Sequence, residues 1–346
     1  MKTFNRNQIM LALSYMAYYG FTMDEADRRN AQTIQQFFNE ALDNWTPLNG
    51  QWQLAWGPAV FSLPGTKYDD ALMYVVQNTL DLSQYVIAIR GTNPISIPNW
   101  IIWDFQAKEL KAWPYGNPHP LKMPMLSEST AFGLIILQGL RPEEEIPGYK
   151  QTILEFFKQE LQINNDLSIC TTGHSLGGAL APVLALWLKD IQDSQLDKKV
   201  QISCVAFAGP TPGNNAFTEY FNQRMGGDFT RIANSLDVVP YAWQTSLLRK
   251  TFTLYFPLIL PTPPLAVLLK HLLNKSKHKD YLQIGTEPLI LNGEIKLLAL
   301  PYLVQAIYQH VQAYAQLMDM QDDIPIEELL PFSDKLKEVL GHLIYL

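Results

Sequence analysis

Between residues 52 and 90 the apolar positions gather in three short runs, 52–62, 71–78 and 84–90. The runs are rich in β-branched and aromatic side chains, with Gly50, Gly65 and Asp81 near the turns. Runs of this length and composition predict strands. Ahead of them, apolar residues recur at helical spacing over 7–20 and 26–43, and behind them over 127–140 and 149–162. Strand and helix signals then alternate: an apolar run at 167–170, a helix over 179–187, strands at 200–208 and 229–233, and a helix over 215–223 between them. The last third predicts a proline-broken apolar stretch, a helix over 264–273, a strand over 281–291 and a helix over 300–318. Alternation of this kind, with apolar strands, predicts an α/β fold whose mostly parallel central sheet is covered by helices on both faces.

The chain has 346 residues, 47% of them apolar. That is enough to bury a large core as one domain over residues 1–346, or as one domain carrying an insertion. A formal charge of −7 without a Lys/Arg-rich tract argues against nucleic acid as a partner. The two cysteines, Cys170 and Cys204, lie in strand-like runs and read as buried thiols ahead of a disulfide; no Cys/His spacing suggests zinc. Lys2 and Arg6 precede an apolar stretch over 9–21 that loosely resembles a secretory signal. Ser14, Tyr15, Tyr18 and Tyr19 interrupt it and no small-x-small site follows, so it reads as a mature helix. The apolar stretch over 252–269 contains Pro257, Pro261, Pro263 and Pro264, which would break a spanning helix. These readings favour a cytoplasmic location.

Chemistry concentrates at Gly173-His174-Ser175-Leu176-Gly177, set between the predicted strand at 167–170 and the helix that follows. A Gly-x-Ser-x-Gly strand-to-helix turn holds its serine in a strained conformation that lifts Oγ clear of the sheet. The helix N-terminus leaves backbone N–H groups free, and that of Leu176 is placed to stabilise an oxyanion. A serine hydroxyl still needs a histidine to take its proton and an acid to orient that histidine.

Three further segments accompany this turn. Residues 87–92 read Ile-Ala-Ile-Arg90-Gly91-Thr92, followed by Asn99-Trp100 and Asp104. Residues 207–217 read Phe-Ala-Gly-Pro-Thr-Pro-Gly213-Asn214-Asn-Ala-Phe217, and residues 231–240 read Arg-Ile-Ala-Asn234-Ser-Leu-Asp237-Val-Val-Pro240. Together with the serine turn, over about 70–240, they resemble the class 3, or fungal-type, lipase family of α/β-hydrolases. The resemblance implies Ser175 as nucleophile, Asp237 as the acid, and Thr92 as the oxyanion-hole partner of the Leu176 N–H. Asp237 also follows a buried strand and stands after Ser175, in the chain order expected of this fold.

Chain order leaves His271, His278, His310 and His342 for the histidine. In the family it follows the last strand, commonly with a tyrosine shortly after. His310, with Tyr314 four residues on, fits better than His278, which has Tyr281 nearby but precedes that strand. His174 adjoins the nucleophile and reads as structural. Two features depart from the family pattern: Asp104 stands one residue further from Asn99-Trp100 than is common, and the histidine-and-glycine signature before the elbow is absent.

Residues 95–103 hold Ile95, Ile97, Trp100, Ile101, Ile102 and Trp103, too apolar for an ordinary exposed loop. The resemblance implies a lid there, within 94–127. A second apolar stretch followed by Lys275, Lys277 and Lys279 suggests a cap insertion over 243–280, with a packed hairpin as the plainer reading. The expectation is a serine hydrolase of lipid or other hydrophobic acyl esters, needing no cofactor and touching a membrane or lipid-droplet surface transiently. The alternatives are a non-catalytic lipid- or partner-binding protein on the same scaffold, and an acyltransferase or phospholipase.

Overall fold

The computed structural model describes residues 2–20, 30–61, 71–91, 109–119, 121–164, 166–196, 199–295 and 301–330. A seven-stranded sheet runs in chain order: β1 (Trp52–Val60), β2 (Leu72–Asn78), β3 (Gln84–Ile89), β6 (Ser168–His174), β7 (Gln201–Phe207), β8 (Phe229–Asn234) and β9 (Leu289–Leu291). The first two pairings are antiparallel, and every pairing from β3 onward is parallel. A small ribbon, β4 (Leu110–Ala112) with β5 (Met125–Ser127), stands apart from it. Because β3, β6 and β7 align Ile89 with Gly173 and His174 with Phe207, the segments leaving their carboxyl ends emerge together at one sheet edge. In open parallel sheets that edge is where ligands bind.

Helices cover both faces, as the alternating pattern predicts. On one side α1 (Arg6–Met16) and α2 (Ala31–Asn44) share a core cluster with the C-terminal α9 (Tyr302–His310), α10 (Gln312–Leu317) and α11 (Ile326–Leu329). On the other, α3 (Glu128–Gly139), α4 (Ile153–Ile163), α5 (Leu176–Gln195) and α6 (Asn215–Met225) pack against the alternate strand positions. The excursion between β8 and β9 carries α7 (Thr245–Lys250) and α8 (Pro263–Ser276). Burial dominates α1: every residue from Met10 to Met16 is inside, and an Asn5–Gln8 capping box closes its N-terminus. Cys170 and Cys204 are buried free thiols. The register pairs Cys170 with Ser203 and Thr171 with Cys204, so the two thiols point to opposite faces.

Two expected elements differ. The strand expected over 281–291 is only Leu289–Leu291, with an isolated bridge from Tyr281 to Asn214. Asp280 and Gly285 hold positive φ angles of 49° and 88°, which no strand accommodates. The helix expected over 300–318 breaks at Val311 into α9 and α10. The carbonyl oxygens of His310 and Val311 accept hydrogen bonds from the side chains of His174 and Tyr15, so tertiary partners hold the backbone at this break. Thr92, Asn99, Trp100, Asp104, residues 94–108 of the expected lid, and His342 lie outside the described residues.

Candidate active site

Ser175 occupies the turn between β6 and α5 at φ 62°, ψ −123°, a region that costs an L-residue strain. The glycines on either side make that turn possible. A Cβ on Gly173 would collide with the Gly177 backbone, and one on Gly177 with the Ile89 carbonyl oxygen. The Ser175 N–H donates to the Phe207 carbonyl across 3.0 Å, tying the turn to β7. Leu176 opens α5, where first-turn N–H groups have no acceptor within the helix.

The structure brings Ser175, His310 and Asp237 together from three distant segments. His310 Nε2 lies 2.8 Å from Ser175 Oγ, and His310 Nδ1 lies 2.8 Å from Asp237 Oδ2. An ionised carboxylate only accepts, so Nδ1 carries the proton and Nε2 is left to accept from the serine. Asp237 also takes hydrogen bonds from the Tyr314 hydroxyl to Oδ2 at 2.9 Å and from the Val239 N–H to Oδ1 at 2.9 Å. All three side chains are fully buried. His271 and His278 are exposed, the first on α8 and the second just past it.

Behind the triad stands a wall that sequence reasoning assigned no part in the site. His174, on the face of β6 away from α5, places Nε2 2.8 Å from the His310 carbonyl oxygen. Its Nδ1 lies 2.8 Å from the Tyr18 hydroxyl. A carbonyl only accepts, so His174 donates from Nε2 and accepts from Tyr18 at Nδ1. Burial, aided by the nearby His310, pushes the His174 pKa well below the usual imidazole range, which fixes this ring as neutral. The Tyr15 ring stacks on His174 at 5.1 Å, and its hydroxyl donates to the Val311 carbonyl.

The Tyr18 hydroxyl lies against the Cα of Gly91 and within hydrogen-bonding reach of the Ser175 side chain. Burial raises the Tyr18 pKa, and the opposing effects of Arg90 and Ser175 do not cancel it. Helix α1 therefore supports the site through two buried phenols. The available signal was polar tips, Tyr15 and Tyr18, within an otherwise apolar helix.

Asn234, noted in sequence only as part of a motif, joins the strand before Asp237 to α9. Its Nδ2 donates to the Gln309 backbone carbonyl at 2.9 Å and to the Gln309 side chain at 2.7 Å. In the described half of the expected lid, Trp113 is buried and donates from Nε1 to Asp190 across 2.8 Å, which anchors the ribbon to α5.

Known proteins resemble this chain in family and fold. The family Lipase (class 3) matches residues 86–246. A solved structure, that of M37 lipase, superimposes with a TM-score of 0.91 at 44% identity, over 99% of this chain and 100% of that one. Lipase-like PAD4 of Arabidopsis thaliana is 32% identical over 116 residues, 31% of this chain and 21% of PAD4. The secreted mono- and diacylglycerol lipase LIP4 of Malassezia restricta is 40% identical over 92 residues, 27% of each chain. The chain thus spans only about a fifth to a quarter of these two curated relatives. The chain belongs to the class 3 lipase family, with an α/β-hydrolase fold.

Proposed function

We propose that this protein is a serine carboxylic-ester hydrolase acting on the acyl esters of lipids. The observation that carries the reading is the continuous hydrogen-bond chain from Ser175 through His310 to Asp237, with 2.8 Å at each step. Ser175 Oγ attacks the ester carbonyl while His310 Nε2 takes its proton, and Asp237 holds the imidazolium that forms. The Leu176 N–H and Thr92 hold the oxyanion, each donor contributing about 3 to 4 kcal/mol of transition-state stabilisation. The alcohol leaves with the proton from His310, and water activated by the same histidine hydrolyses the acyl-enzyme.

The seat of the triad within a class 3 lipase fold supports a lipid substrate, as does the likeness to a mono- and diacylglycerol lipase. Complete burial of Ser175 supports a covering element that must move before an ester can enter. We assign that role to the lid within 94–127, and a capping role to 243–280, both within a single domain over 1–346. Contact with a lipid surface is transient in this reading.

Hydrolysis of a p-nitrophenyl ester series from acetate to palmitate, with Ser175→Ala in parallel, tests it. Turnover that rises with chain length and falls by about 10⁶ in the variant is expected. Equal rates in both proteins on every ester, with detergent present, would overturn the hydrolase and favour a lipid-binding protein.

A further inference from the structure

Charge is unevenly divided along the chain. Residues 238–279 hold six cations, Arg249, Lys250, Lys270, Lys275, Lys277 and Lys279, and neither Asp nor Glu, in a protein of net charge −7. This stretch is most of the excursion between β8 and β9. Lys279 faces Glu109 and Glu128 and is partly neutralised there. Arg249, Lys250, Lys270 and Lys275 are exposed and take part in no ion pair among the described residues. The helix dipole accounts for a lysine such as Lys275 in the last turn of α8, but not for Lys270 in its middle.

The same stretch exposes large apolar side chains. Phe256, Leu258, Leu260 and Val267 are each more than half exposed. Their neighbours Tyr255, Ile259, Leu265 and Leu269 form one buried cluster with Val238 and Val239, beside Asp237. The outward stripe of α8 therefore reads Val267, Lys270, His271, Asn274, an apolar residue followed by polar and cationic ones. The excursion is also fixed to the site. The Tyr255 hydroxyl donates to the Leu236 carbonyl at 2.9 Å, and the Tyr302 hydroxyl at the start of α9 donates to the Thr251 carbonyl.

We propose that this excursion is a docking surface for an anionic phospholipid bilayer. The lysines and Arg249 meet the headgroup phosphates and carboxylates, while Phe256, Leu258 and Leu260 enter the interface. Rigid attachment beside Asp237 and α9 would then hold the mouth of the site against the lipid. An acyl ester would pass from bilayer to Ser175 without crossing bulk water. The inference rests on the ester-hydrolase reading for its sense, whereas its test needs no turnover.

The test is co-sedimentation of the Ser175→Ala protein with vesicles of phosphatidylcholine alone and of phosphatidylcholine with phosphatidylserine. Binding is expected to be at least about tenfold tighter to the anionic vesicles and to weaken as salt is raised, each Lys or Arg at the surface contributing about fivefold. Lys270→Glu with Lys275→Glu is expected to lose at least about tenfold on anionic vesicles. Phe256→Ser with Leu258→Ser is expected to lose binding as well. In the Ser175 background, both pairs keep wild-type turnover of soluble p-nitrophenyl butyrate, which reports an intact fold.

Equal affinity for the two vesicles, or no effect of the lysine pair, overturns the proposal. So does retention of binding by the Phe256/Leu258 pair together with equally tight capture of polyglutamate, which assigns the surface to an acidic polymer instead. Failure of Ser175-dependent turnover would sink the hydrolase reading and leave the vesicle result standing.

Discussion

The His174 ring, adjacent in sequence to Ser175, donates from Nε2 to the backbone carbonyl oxygen of His310 across 2.8 Å. The residue before Ser175 thus holds the main chain of the residue that faces Ser175. His310 sits where α9 ends, so its carbonyl is not committed to a continuous helix. The two rings lie 4.6 Å apart, close enough that a shift of one displaces the other. In the proposed reaction His174 would serve as a positioning residue, acting through the placement of His310.

Removing that donor leaves the His310 carbonyl buried without its partner and takes the Nδ1 acceptor from the Tyr18 hydroxyl. His174→Ala is expected to destabilise the protein by about 2 to 5 kcal/mol and to lower kcat by about 10- to 100-fold, with KM for a soluble ester within about twofold. His174→Gln, whose amide can reach the same carbonyl, should restore part of the kcat loss. Denaturant unfolding and steady-state kinetics on p-nitrophenyl butyrate check both. A proportional loss of kcat and rise of KM in both variants would argue that His174 only fills space.

Tyr314 and Tyr18 give a second pair of expectations. Tyr314→Phe removes one of two hydrogen bonds that hold Asp237 from outside the histidine and leaves the carboxylate paired with His310 and the Val239 N–H. A fall in kcat of about tenfold is expected, against about 10⁴-fold for Asp237→Asn, which also inverts the tautomer of His310. Tyr18→Phe keeps the ring against Gly91 and loses only the hydroxyl beside Ser175 and His174. It should cost about 1 kcal/mol of stability and a kcat loss similar to that of Tyr314→Phe. If Tyr18→Phe retained full kcat, α1 would be a purely structural support.

Much of this arrangement was legible because local chemistry dictated it. The glycines of the Gly173 to Gly178 turn meet backbone atoms where a Cβ would stand, and the strands at 84–90 and 200–208 are mostly apolar runs of the kind a buried sheet accommodates, with a shorter apolar signal at 229–233. Their boundaries agree with the structure to within one or two residues. What escaped depends on contacts distant in sequence. Tyr15 and Tyr18 meet His174 more than 150 residues away, which periodicity in α1 cannot reveal. The break at Val311 arises from side chains of β6 and α1, not from a helix-breaking residue at that position. The strand expected over 281–291 shortens to Leu289–Leu291 because the positive φ angles of Asp280 and Gly285, and Pro288 with no N–H to donate, interrupt an extended ladder despite the apolar content of the segment.

Glycines near the turn offer a contrast between two chemically identical changes. A Cβ on Gly178 would strike the Phe207 carbonyl oxygen in β7, a backbone atom that cannot rotate away. Gly178→Ala is expected to cost more than about 3 kcal/mol or to prevent soluble expression, since overpacking against backbone has no rotamer escape. Gly227 has open space where a Cβ would stand and no positive φ. Gly227→Ala should leave stability unchanged or raise it by about 0.5 kcal/mol. Thermal melts of the two variants separate these outcomes, and similar melting temperatures would contradict the close approach of α5 to β7.

Acid should destabilise the protein through His174 in a defined direction. Its pKa is pushed well below the usual imidazole range by burial first and by His310 second, so the folded state keeps it neutral. In the unfolded chain it takes up a proton as pH falls through about 6.5. Below that pH the unfolded state binds one proton more, and stability falls by up to about 1.4 kcal/mol per pH unit from this residue alone. Above it both states are neutral and the contribution is flat. Urea unfolding of the wild type and His174→Gln between pH 7.5 and pH 5 should therefore give a wild-type curve that falls more steeply toward pH 5 than the variant's, by about one proton in slope, so that any wild-type advantage at pH 7.5 closes or reverses at the bottom of the range. Parallel curves would mean that His174 protonates in the folded state, contradicting its donation to the His310 carbonyl with Tyr18 at Nδ1.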